Sequence, residues 1–198
     1  MGVAKQVVER TRVEAVCLGG QRAAGEAGDA ERALVERARR GDTGAFEQLY
    51  LSHRAQAHTL CLSLCGNRED AHDLVQEAFV RAYRGISRFR GRSSFSTWLQ
   101  RIAVNVWRDT LRRRPAEAPD PAEGGQPSNP EAADLVRAAM LRLQPEQRLV
   151  LSLRFSQSLS YQEIAEVLRW PPGRVRMSIH RARRAFRDAY RRANEAEP

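Results

Sequence analysis

An all-α fold is predicted by three features of this chain of 198 residues. Its apolar residues recur at three- and four-residue spacing over most of its length. Alternating patterns that would form half-buried strands are absent. A single Pro-rich stretch divides the periodic sequence into two lengths, each long enough for several helices. Two small helical domains are therefore expected, each with a modest core, joined by a flexible linker.

The elements follow in order. Residues 1–29 form an N-terminal extension, with a helix near 3–16 and a weak boundary at "GGQRAAGEAGD" (19–29). The first module, 30–114, carries expected helices near 30–40, 42–65, 68–86 and 94–114. The linker is "PAEAPDPAEGGQPSNPE" (115–131). Its five prolines and two glycines exclude a continuous helix. Glu117, Asp120, Glu123 and Glu131 make it acidic, with no basic residue to offset them. The second module, 132–198, carries expected helices near 131–143, 145–156, 160–168 and 172–193.

Charge narrows the function classes. There are 33 basic against 24 acidic side chains, a net +9, and Lys5 is the sole lysine. Arginine forks onto phosphates and guanine edges, which suits a nucleic-acid partner. An arginine-rich codon bias produces the same composition, so position has to carry the argument. Cys17, Cys61 and Cys65 are too few for a disulfide framework. No apolar run approaches the roughly 18 residues of a membrane span. The charged start "MGVAKQVVERTRVEAV" does not read as a signal peptide. A cytoplasmic location is the expectation.

In the second module, "SLSYQEIAEVLRWPPGRVRMSIHRARRAF" reads as helix, turn, helix at about 160–180. Ser160 and Glu163 have the spacing of a capping box, which satisfies orphan amides at a helix start. "WPPG" interrupts the chain, and the next helix starts at Pro172 or Gly173. At about 100° per residue, Val175, Ile179, Ala182 and Phe186 share a core side. Arg176, Met177, His180, Arg181 and Arg184 share the opposite side. A helix-turn-helix sets such a helix in the major groove with its early residues on base edges. Arg184, Arg187 and Arg191 lie further along, where phosphates are met. A basic amphipathic helix with a solvated face is the plainer alternative.

In the first module, "GNREDAHDLVQEAFVRAYR" (66–84) buries Ala71, Val75, Ala78, Phe79 and Ala82. Asp70, Asp73 and Glu77 line the other side, flanked by Leu74 and Gln76. DNA repels such a face, whereas a basic protein partner fits it. The second reading is local: Asn67 caps the helix, and early acids favour its positive end. Both readings stand on sequence alone. In "SRFRGRSSFSTWLQRIAVNVWRDTLRRR" (87–114), Phe95, Leu99, Ile102 and Val106 give a core stripe. Arg101, Asn105, Arg108 and Arg112 share another face. Arg88, Arg90 and Arg92 interleave with Phe89, and Trp98 lies at the edge of the basic stripe. Residues 81–114 hold ten arginines and one acid. Basic side chains with aromatics suit single-stranded DNA; the alternative makes Phe89, Phe95 and Trp98 core.

Taken together, these residues resemble the extracytoplasmic-function sigma factors, the group IV transcription initiation factors of bacteria. "DAHDLVQEAFVRAYRGISRFRGRSSFSTWLQRIAVNVWRD" resembles the family's region two. "LQPEQRLVLSLRFSQSLSYQEIAEVL" followed by "PPGRVRMSIHRAR" resembles its region four. The resemblance implies that Asp70, Asp73, Leu74, Gln76, Glu77 and Phe79 dock on the β′ clamp helices of core RNA polymerase. It implies that Arg88, Phe89, Arg90, Arg92, Trp98, Arg101, Asn105 and Arg108 bind and melt the −10 element of promoter DNA. It places Arg174, Arg176, Met177, Ser178, His180, Arg181 and Arg184 against the −35 element. The β flap and an anti-sigma factor are further implied partners.

Two departures stand out. Arg174 replaces a small polar residue, and Met177-Ser178 replaces serine-arginine, so the −35 preference is expected to differ. The main alternative is a conventional helix-turn-helix regulator that binds duplex DNA without polymerase. A second is a metal or thiol sensor built on His58, Cys61 and Cys65, which share a helix face. No nucleophile–base pair or phosphate-cradling loop stands out, so neither enzymatic activity nor a cofactor is expected.

Overall fold

The structure is a computed structural model; it describes residues 20–113 and 130–195, with side chains from 28 to 113 and from 135 to 195. The described residues are helical and contain no strand. The expected helix near 3–16 and nearly all of the 115–131 linker lie outside them.

Helix α1 spans Gly20–Arg39. It runs through the stretch that the sequence marked as a boundary. Alanine, glutamine, arginine and glutamate there favour helix strongly enough to offset the glycines. A turn at Gly41, with φ +95°, leads to α2, Thr43–Cys65. Asp42 caps α2 by accepting from the Ala45 amide at 3.0 Å. Gly66, at φ +83°, ends it, a left-handed conformation that glycine adopts without steric cost. Helix α3, Arg68–Gly85, starts at Asn67, whose side chain accepts from the Asp70 amide at 2.8 Å. A short 3₁₀ turn, Ile86–Arg88, and a loop bring the chain to α4, Phe95–Arg113. Ser94 caps α4 through the Thr97 amide at 3.1 Å. Leu49, Leu60, Leu64, Phe95 and Leu99 are fully enclosed in this half.

The second half begins with α5, Pro130–Leu141, with Pro at the first helical position. Helix α6 is Pro145–Leu151. The sequence pointed to one helix over 145–156; instead α6 widens into a π turn at Ser152–Ser156, closed by the Gln157 amide on the Ser152 carbonyl at 3.1 Å. Helix α7 is Tyr161–Leu168 and α8 is Pro172–Glu195. Val150, Leu153, Ile164, Val167, Val175 and Ile179 form the core that orients α8.

The two halves pack against each other. Helix α4 lies on α7, and α2 meets α6 and the π turn. Arg148 of α6 is buried there and donates to the Leu64 carbonyl at 2.9 Å. Gln100 of α4 donates to Gln157 at 3.1 Å, both side chains being buried.

Candidate nucleic-acid interface

On α3 the predicted inner side is inside: Ala71, Val75, Ala78, Phe79 and Ala82 are all buried. Asp73, Gln76 and Glu77 are exposed and Asp70 is half-buried. Leu74, which the sequence placed among the exposed acids, is buried instead, and Phe79 packs edge-on to Tyr50 with centroids 4.7 Å apart. The exposed apolar groups on this face are Val80 and Tyr83, the latter 51% exposed and resting on Phe46. Sequence reading passed over them, although 73, 76, 80 and 83 recur at helical spacing, the signal of one continuous stripe. Arg81 holds Glu77 at 2.7 Å and Asp109 of α4 at 2.9 Å, tying the two helices. These bonds, Asp109 first, raise the pKa of Arg81, and Arg81 in turn lowers that of Asp109.

In the segment 88–108 the structure separates charge from aromatic surface. Arg88, Arg90 and Arg92 are exposed on the loop, whose tip is Gly91 at φ +65°. Phe89 and Trp98 are 6% and 9% exposed and stack at 4.8 Å between centroids. They lie in the core with Phe95, the second of the two readings that the sequence left open for Phe89 and Trp98. The reason is packing: in a domain this small each large ring is needed to fill the interior. Asn105 is exposed and Arg101 half-buried. Arg108 is half-buried too, and burial lowers its pKa.

Sequence reading also missed Glu31, which joins this segment from α1. Its carboxylate pairs with His53 of α2 at 3.0 Å, close to the start of α4. The His53 bond, above all, lowers its pKa. No local spacing reveals such a contact, since Glu31 and His53 are far apart in sequence.

The helix-turn-helix is built as its residues dictate. Ser160 accepts from the Glu163 amide at 3.2 Å, and Glu163 accepts from the Ser160 amide at 2.8 Å, completing the box. Val175, Ile179 and Ala182 are buried, with Phe186 half-buried. Arg174, Arg176, Met177, His180, Arg181 and Arg184 are exposed, and Ser178 is half-buried. Among these arginines Arg174 is ion-paired, to Glu146 at 3.0 Å, and it lies over the Trp170 ring, 4.0 Å from its centroid. Near the π turn, Phe155 is 61% exposed and Arg154 lies over Tyr161.

Cys61 is buried and Cys65 half-buried. Burial raises both thiols, Cys65 to about 12, so neither is a ready thiolate. Among the described residues no cluster of His, Cys, Asp and Glu is arranged to hold a metal. No described helix is long and apolar enough to cross a membrane.

Comparison with known proteins gives a consistent answer. Residues 49–116 match Sigma-70 region 2 and residues 133–186 match Sigma-70, region 4. RNA polymerase sigma-H factor of Pseudomonas aeruginosa is 36% identical, over 79% of this chain and 91% of that protein. ECF RNA polymerase sigma-E factor of Escherichia coli is 38% identical, over 79% and 92%. ECF RNA polymerase sigma factor SigW of Bacillus subtilis is 31% identical, over 79% and 95%. Among solved structures, CnrH, in complex with the cytosolic domain of CnrY, superposes with a TM-score of 0.64 at 28% identity, covering 80% of this chain and 96% of that one. The sigma factor RpoE of Bartonella quintana, solved with the anti-sigma factor NepR, shares the fold at a TM-score of 0.67 and 20% identity, over 77% and 98%. With both regions matched, in this order and on these helices, the chain belongs to the extracytoplasmic-function RNA polymerase sigma factors of the sigma-70 family.

Proposed function

We propose that this sigma factor works by binding alone, in the cytoplasm, and leaves catalysis to the polymerase core. Helix α3 docks on the β′ clamp helices through Asp73, Gln76 and Glu77, with Val80 and Tyr83 as apolar anchors. Exposed Phe155 serves the same purpose toward the β flap. Asp70, Leu74 and Phe79 act from beneath, by starting the helix and filling its inner side.

Arg88, Arg90, Arg92, Arg101 and Asn105 meet the −10 element, over a floor made by Phe89 and Trp98. Melting costs a few kcal/mol per unstacked base step. Phosphate pairing and capture of unpaired bases offset that cost. Helix α8 reads the −35 element with Arg176, Met177, Ser178, His180 and Arg181, while Arg184 meets phosphate. An anti-sigma factor holds the protein inactive until a signal arrives; the structural relative RpoE, solved with the anti-sigma factor NepR, supports this reading.

The observation that carries the proposal is the sorting of exposed charge. An acidic face with apolar anchors lies on α3, and a basic face lies on α8 of the same chain. A regulator of duplex DNA has no use for the first. Run-off transcription with purified core polymerase on a genomic promoter library tests it. Promoter-specific transcripts that require this protein are expected. Strong specific duplex binding without polymerase, and no transcripts with it, would establish the helix-turn-helix regulator instead.

A further inference from the structure

The loop that carries Arg90 and Arg92 leaves the 3₁₀ turn Ile86–Arg88 and ends at Phe95, the first residue of α4. Its tip stands in solvent, but its ends are fixed inside, since Ile86, Phe89 and Phe95 are all buried. Phe89, Phe95 and Trp98 form one ring cluster, with Phe95 5.7 Å from Trp98 and 6.4 Å from Phe89 between centroids. The position of that cluster sets where the loop arginines stand.

A fourth ring joins the cluster from α2. His53 is 8% exposed and lies 5.1 Å from Phe95, centroid to centroid. Its Nε2 is 3.0 Å from the Glu31 carboxylate of α1. An imidazole makes both contacts at once because it joins an apolar ring face to a polar edge. Phenylalanine would supply only the face, and an amide only the edge. Helix α1 also packs against the 3₁₀ turn, so it holds the near end of the loop directly and the far end through His53. One turn along α2 from His53, the exposed Gln56 accepts from the Ser96 hydroxyl of α4 at 2.9 Å. Glu31, His53 and Gln56 belong to neither set of residues assigned to polymerase or to DNA.

We propose that Glu31 and His53 are positioning residues for promoter melting: by tying α1 to α2 and backing Phe95, they hold the 88–94 loop in the geometry that captures unpaired bases of the −10 element. A loop held in advance keeps its ordering cost out of the melting step. This role rests on the proposed function for the assignment of the loop to the −10 element.

The test pairs the full chain with core polymerase on one promoter in two forms: a duplex, and the same promoter with its −10 element already unpaired by mismatches. His53→Phe keeps a ring against Phe95 and severs the link to Glu31. It is expected to slow open-complex formation on the duplex roughly five- to tenfold, the scale of one lost hydrogen bond, and to match the parent on the unpaired form. Glu31→Ala severs the same link from its other end. The same loss is expected, and the double variant should lose no more than either alone. Glu31→Gln retains an acceptor and is expected to keep the parent's rate. Gln56→Ala removes the second tie at an exposed position, where folding is not at stake, and is expected to be about two- to threefold slower on the duplex alone. Because α3 docks polymerase from the same half, a general loss of folding would depress both forms equally. Equal loss on the two forms therefore overturns the proposal, as does a parental rate for His53→Phe on the duplex, or losses from Glu31→Ala and His53→Phe that add. The parent's own promoter-specific transcription decides the sigma function, and the ratio of variant to parent decides the positioning role, so the two readings fail separately.

Discussion

Arg174 and Arg176 are two residues apart on α8, yet their surroundings give them different work. Arg174 is held by Glu146 and Trp170, whereas Arg176 is exposed on the early turn that a recognition helix presents to base edges. Arg176→Ala should weaken −35 readout by about 1–3 kcal/mol, seen as loss of discrimination between promoter variants with polymerase binding intact. Equal loss on every sequence would make Arg176 a phosphate contact. On α3, Asp73 is among the most exposed acids, its side chain 80% accessible. Asp73→Arg should abolish co-migration with core polymerase on a native gel while circular dichroism stays unchanged, because the substitution reverses a charge that touches no core residue. Unchanged holoenzyme formation would remove Asp73 from the docking face.

At the scale of the element, helix ends decide where the functional side chains point. The reciprocal Ser160–Glu163 box fixes the start of α7 and, through the turn, the entry of α8. Ser160→Ala should cost about 1 kcal/mol, measured as a lower Tm. Ser94 caps α4 locally, whereas α1 is tied to α2 by Glu31, whose pKa lies below its ordinary value of 4.5, chiefly through the His53 hydrogen bond. A carboxylate with a depressed folded pKa contributes stability that is fully present above its unfolded pKa and lost as pH falls through its folded pKa. In denaturant titrations the parent should therefore lose more stability than Glu31→Gln as pH falls below about 4.5. Parallel acid limbs for the two proteins would show that the pairing contributes nothing.

At the scale of the whole molecule, the seam joins halves that the chain separates by a Pro-rich stretch. Arg148 is its buried cation, donating to the Leu64, Leu141 and Leu143 carbonyls, and burial lowers its pKa. Arg148→Met fills similar volume but leaves those acceptors without this donor. The expected loss is about 1–3 kcal/mol of stability, read from urea unfolding. An unchanged midpoint would mean that water replaces the guanidinium without penalty.

The helical class, the helix starts at Ser160 and Asn67, the basic face of α8 and the acidic face of α3 were all legible in the sequence. Each depends on side chains three or four positions apart, and local geometry brings those together in any helix. The sequence alone did not decide which apolar residues the core takes. Phe89, Trp98 and Leu74 went inside, and Val80 and Tyr83 stayed out, because the choice depends on the volume that neighbouring helices leave to be filled. Nor did it show Glu31 pairing with His53, or Glu146 with Arg174, since those partners lie tens of residues apart. Periodic spacing can be read along a chain; juxtaposition across helices exists only once packing has set their distances.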